Sequence, residues 1–180
     1  VGVAGGVNVL VFTNHVLAYA GGSIQAGGNV RIAATAESLL VNLAAAVSGA
    51  GNVAVTGVAV VTYFYNETKA YAAAGAVIEA LGSITIAAFS QESVNTVAAG
   101  AAGSGTASVG GTVDVVVTKV ITKAYTGAGA RLTGAAIDVS AQDDYGLIGV
   151  AGMLSIGGAA AGVGISVLVP WTEAHHPHDL

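Results

Sequence analysis

The sequence predicts an all-β chain, a parallel β-solenoid whose coils are flattened into two layers and take about 53 residues each. Three observations carry this. First, a phrase recurs: Asn66-Glu67-Thr68-Lys69-Ala70-Tyr71 returns as Ile121-Thr122-Lys123-Ala124-Tyr125 and, more faintly, as Asn14-His15-Val16-Leu17-Ala18-Tyr19. Its tyrosines Tyr19, Tyr71 and Tyr125 lie 52 and 54 residues apart. Second, bulky and small residues alternate at period two, as in Asn52 to Val60 and Ala136 to Ser140, which is strand periodicity with β-branched residues in excess. Third, every break in these runs is supplied by glycine, the residue that accepts a positive φ where a chain reverses.

Within one period the reading is a long strand from near Val7 to Ala20, a turn at Gly21 to Ser23 and a short strand at Ile24-Gln25-Ala26. A turn at Gly27-Gly28-Asn29 follows, then a long strand or broken pair from Val30 to about Val47, and a turn from Ser48 to Asn52. Later periods repeat the scheme, with breaks at Ala80 to Ser83, Gly103 to Thr106, Gly134-Ala135 and Gly157-Gly158. The array divides into 1–52, 53–106, 107–158 and a partial 159–169, with a tail or cap at 170–180. Because the phrases begin and end inside a repeat, the chain reads as a piece of a longer one.

A solenoid stacks each residue on its counterpart in the next coil, so columns can be read directly. Tyr19, Tyr71 and Tyr125 form an aromatic ladder, Val30, Ile84 and Ile137 an aliphatic one, and Glu37, Gln91 and Asp144 a polar one at a solvent edge. Lys69 over Lys123 requires solvation or flanking acids, and neighbouring Glu67 can supply one. A further landmark equates Gly6, Gly57, Gly111 and Gly164. An antiparallel β-sandwich of long hairpins uses the same turns and stays open as the alternative.

Composition limits function. Hydrophobic residues make up 54% and charged residues 8% of the chain, against about 25% charged in soluble domains. Most of the surface is therefore covered by something, or the chain meets a membrane. Ser38 to Asn66, Ser93 to Val113 and Tyr145 to Thr172 lack Asp, Glu, Lys and Arg and are long enough for helical spans. Their glycine, Asn, Ser and Thr content and their period-two pattern argue against such helices. A net charge of −5 without a basic cluster leaves no footprint for nucleic acid. The absence of cysteine removes disulfides, thiolate metal sites and cysteine nucleophiles.

Candidate chemistry is sparse. His175, His176, His178 and Asp179 could hold zinc or nickel, but adjacent histidines need a scaffold to converge, and a solvated terminus is the simpler reading. Thr172-Glu173-Ala174-His175 echoes the tyrosine phrase as a fourth rung, with Pro170 and Pro177 ending the strand. Asp143-Asp144 with Glu92 reads as a strand edge or turn rather than a catalytic pair. No serine sits in a G-x-S-x-G elbow, and no glycine loop leads to Gly-Lys-Ser/Thr. Asn66 fits a glycan acceptor pattern but reads as a turn asparagine. The tyrosine column could stack on sugars; as a packed ladder it is structural. Catalytic residues and cofactors are expected to be none.

The order N-x-T-x-A-Y, then a short apolar strand, then G-x-I/V-x-I/V-x-A, then a Gly/Ala-rich run ending G-V-G-x-S-V-x-V is carried by Asn66 to Tyr71, Gly82 to Ala87 and Ala160 to Val167. It resembles the repeats of very large bacterial surface proteins, the leukotoxin-type filamentous adhesins, related in style to filamentous haemagglutinins and long autotransporter passengers. The resemblance implies a non-enzymatic stalk or fibre segment outside the cell. Its partners are expected to be other copies or neighbouring repeats, with host-surface or matrix ligands, and neither nucleic acid nor membrane. A self-assembling filament subunit with open repeat ends is the alternative, and a membrane-active toxin module a third.

Overall fold

A computed structural model describes residues 1–175. Its described residues form ten strands and no helix. The first coil holds β1 (Gly2–Ala20), β2 (Ser23–Ala26) and β3 (Val30–Ala50), and the second β4 (Val53–Ala72), β5 (Val77–Ala80) and β6 (Ser83–Ser104). The third coil holds β7 (Ala107–Thr126), β8 (Arg131–Thr133) and β9 (Ala136–Ile156), and β10 (Ala159–His175) opens a fourth. Strands pair only with their counterparts, giving the sheets β1-β4-β7-β10, β2-β5-β8 and β3-β6-β9, all parallel. The chain is a parallel β-solenoid, and the antiparallel sandwich is overturned. The two wide sheets face each other, while the narrow one forms a corner between them.

At about 3.3 Å per residue, the long strands make each wide face roughly 65 Å across. Opposite the corner, the wide sheets meet through two-residue links such as Gly51-Asn52 and Gly105-Thr106. At the corner, Ala73 to Ala76 and Gly127 to Ala130 close as β-turns, with Ala76 N–H donating to the Ala73 carbonyl at 3.0 Å and Ala130 N–H to Gly127 at 3.1 Å. Gly75 and Gly129 sit at the third turn position with φ of 71° and 72°, a conformation that only glycine adopts cheaply.

The expected columns form: Tyr19, Tyr71 and Tyr125 are in register, as are Val30, Ile84 and Ile137, Glu37, Gln91 and Asp144, and Lys69 with Lys123. Several details differ. β1 starts at Gly2 rather than near Val7, and β3 continues unbroken to Ala50, because the in/out alternation persists through both segments. The glycine landmark slips by one at its ends, since Gly5, not Gly6, pairs with Gly57, and Gly164 pairs with Thr112. A one-residue slip would turn every side chain of the strand to the opposite face. In the observed register Asn8 and Leu10 stay inside, and Val7, Val9 and Val11 outside.

The fourth coil corrects two expectations. Pro170 does not end the strand; β10 runs five residues beyond it, opposite β7. An edge strand tolerates proline because one side of its backbone has no partner to bond. The echo at Thr172 is out of step by two, with Thr172 opposite Val120 and His175 opposite Lys123 rather than Tyr125. His175 is therefore not the fourth rung of the tyrosine ladder.

Candidate functional site

Two arrangements were built from side chains that the coil period brings together. One is exposed, on the corner end of the β1-β4-β7-β10 face. Tyr19 stacks on Tyr71 with ring centroids 5.5 Å apart and planes 15° apart, and Tyr71 on Tyr125 at 5.0 Å and 2°. These are offset-stacking distances. Tyr19 remains 65% exposed, so the column is a surface ladder. Beside it the two stacked lysines are flanked by acids: Lys69 Nζ is 2.5 Å from Glu67 Oε1, and Lys123 Nζ 3.5 Å from Glu173 Oε2. His15 Nδ1 lies 3.1 Å from the other Glu67 oxygen. Partial burial pushes the Glu67 carboxyl up, but Lys69 and His15 outweigh it and hold the group below the usual carboxylate range. Lys69 is raised by its hydrogen bond to Glu67.

The second arrangement is internal and polar. Asn66, on β4, donates through Nδ2 to Ser90 Oγ at 3.0 Å and to Glu92 Oε1. Ser90 Oγ donates to that same Glu92 oxygen at 2.5 Å. Glu92 is only 2% exposed, and burial lifts its carboxyl above the usual range, with Asp143 adding to the rise. Burial also lifts Asp143, which projects from the next coil. Tyr145, stacked over Glu92, donates to Thr118 Oγ1 at 2.7 Å. Further along the slab, Thr96 Oγ1 donates to Asp114 Oδ2 at 2.6 Å, and Asn42 Nδ2 to Thr62 Oγ1 at 2.8 Å. Asn66 Oδ1, Glu92 Oε2, Asp114 Oδ1 and Asp143 Oδ1 are buried without a hydrogen-bond partner.

These contacts revise two expectations. Asn66 is fully buried in mid-strand, so it is neither a turn residue nor accessible to a glycan-transferring enzyme. Asp143-Asp144 lies within β9, the edge strand of its sheet, and not in a turn, with Asp144 outward in the polar column and Asp143 beside Glu92. The fold thus brings two carboxyls together that sequence spacing left apart. Glu92 is enclosed between the sheets, and Asp143, on the edge strand, is partly buried beside it. The interior parity was available in the sequence: Glu92 shares the phase of Ile84 and Ile86, and Asn66 that of Phe64. Polar character overrode phase in the sequence reading.

Of the metal candidates, His175 ends β10, whereas His176, His178 and Asp179 lie outside the described residues. Among the described residues no group of three or more His, Cys, Asp or Glu side chains is placed to hold a metal ion. Comparison with protein-family models, with curated proteins and with solved structures finds no match to this chain.

Proposed function

We propose that the chain is a non-enzymatic structural segment of an extracellular bacterial fibre or adhesin. The observation that carries this reading is the repetition of whole columns from coil to coil, exemplified by Tyr19, Tyr71 and Tyr125. A scaffold needs the same contacts at every step; an enzyme needs one site where unlike groups converge. The extracellular bacterial setting is supported by the resemblance of the repeat phrases to leukotoxin-type filamentous adhesins. Neighbouring repeats or other copies are the first partners, and host-surface or matrix ligands a further class for an adhesin. The test is antibody labelling of intact bacteria producing the full-length protein, with thin-section microscopy. Label on fibres at the surface is expected, and label confined to the cytosol overturns the proposal.

A second reading is favoured by a separate observation. At both ends of the stack the edge strands β1 and β3, and β9 and β10, have one side without a paired strand among the described residues. Such edges template further strands. The chain would then be a filament subunit that grows end to end. Negative-stain microscopy of purified chain distinguishes the readings, since a subunit forms long uniform filaments and a module does not.

A further inference from the structure

The charge-free stretches of the sequence, together with the start of β1 from Val1 to Val11, converge on the half of the slab away from the corner. There the outer face of β1-β4-β7-β10 carries no polar atom except the Tyr63 hydroxyl. β4 presents Val53, Val55, Gly57, Ala59, Val61 and Tyr63 outward. The matching positions of β1, β7 and β10 are all Val, Ile, Ala or Gly. Val7 is 76% exposed and Val113 40%. Six columns on four strands make a flat field of about 33 Å by 19 Å, roughly 600 Å². That equals the largest apolar patch of an ordinary monomer.

We propose that this half-face is a lateral interface on which a second copy of the chain seats face to face. Two such fields bury about 1,200 Å² in total, the lower bound for a specific interface. Their relief is self-complementary. Gly5, Gly57 and Gly111 line a shallow groove of about 500 Å³ across β1, β4 and β7 that Val163 closes on β10, and the next column, Val7, Ala59, Val113 and Ile165, stands beside it as a ridge that dips at Ala59. Groove and ridge are the two central columns of the six. A two-fold axis lying in the interface plane, parallel to these columns and midway between them, therefore sets the ridge of each copy over the groove of the other, an isologous contact.

A bilayer is the weaker occupant. Among the described residues the outer backbones of β1 and β10 have no paired strand, and in this chain by itself they would enter hydrocarbon unbonded, at several kcal/mol for each group. The opposite wide face is also interrupted, by Ser93 and Asn95 on β6, so pairing is assigned to the β1-β4-β7-β10 face. This interface deepens the fibre reading by joining stacks side by side. It uses side chains, whereas end-to-end growth uses strand edges, so either can fail alone.

The test is sedimentation velocity on the whole chain at micromolar concentration. A Cβ at Gly57 meets no atom within 4 Å, and its φ is not positive, so Gly57→Glu leaves the fold intact while placing charge in the groove. Expected is a wild-type dimer, weakened at least tenfold by Gly57→Glu and by Val113→Lys, with Lys123→Glu unaffected and circular dichroism unchanged in all. As a readout independent of destabilisation, Ala59→Cys in this cysteine-free chain cross-links to its partner with a short bis-maleimide, whereas Ala99→Cys on the opposite face does not. A monomeric wild type overturns the proposal. So does association that survives both the groove and the ridge variant, or a monomer that instead binds phosphatidylcholine vesicles.

Discussion

The two halves of the slab place their apolar residues on opposite sides of the same sheets. At the corner, Ala20, Ile32, Ala70, Ile78, Ile84 and Ile86 pack inside, while Glu67, Lys69, Lys123 and Tyr71 face out. Away from the corner, Asn42, Ser48, Thr56, Thr62, Thr96 and Asp114 are buried among a few valines and alanines, and valine lines the outside. One half is built like a soluble β protein and the other is close to its inverse. Burial of apolar area stabilises the first within a single chain. The second holds its sheets together through cross-sheet hydrogen bonds, each worth about 1 kcal/mol net, and leaves its apolar area for a neighbour.

The comparison breaks most sharply on interior substitutions at the corner. Ile84→Ala removes a fully buried side chain and is expected to cost about 2–5 kcal/mol in urea denaturation. Val61→Ala, on the outer face of the other half, should stay within about 0.5 kcal/mol at dilutions where the chain is monomeric. Equal losses at the two sites would mean that the halves are not built differently.

Between the halves lies the Glu92 and Asp143 pair, and its pH dependence follows from burial. Both carboxyls titrate above their ordinary range in the folded chain. The unfolded chain therefore releases these protons first as pH rises, so stability is fullest below about pH 4 and falls until the raised folded values are passed. Glu92→Gln should flatten this fall and raise the melting temperature at neutral pH. A steeper fall in the variant would refute the assignment. Glu67, held low by Lys69 and His15, works with the opposite sign, contributing above the ordinary carboxylate value and losing its contribution in acid.

On the outer corner the effects shrink. Tyr71→Ala removes the middle rung of the ladder and both of its stacks, an expected loss of about 1–2 kcal/mol in thermal melts. Lys69→Met breaks a surface ion pair and should cost less than about 1 kcal/mol, diminishing with added salt. A salt-insensitive loss would point to packing by the lysine stem instead.

Much of this architecture was legible from residues. Tyr19, Tyr71 and Tyr125, and Val30 with Ile84 and Ile137, set the coil length, and their columns form as read. Legibility failed where local likeness competed with phase. Gly6 resembles Gly57 in its following valines, and Thr172 to His175 resembles Thr68 to Tyr71, yet both are off register. Asn66 and Asp143 looked like turn residues because polar side chains are usual there; their strand parity carried the better information.

The sequence by itself determined the repeat length, the all-β class and the columns. Those follow from side-chain period and from glycine at the reversals, which are local properties of the chain. Only the tertiary structure decided which parity faces inward, that Glu92 and Asp143 share an interior, and that the charge-free stretches gather at one end of the slab. Alternation fixes two faces without saying which is covered, and that choice is made when a second sheet, some twenty residues away along the chain, closes over one of them.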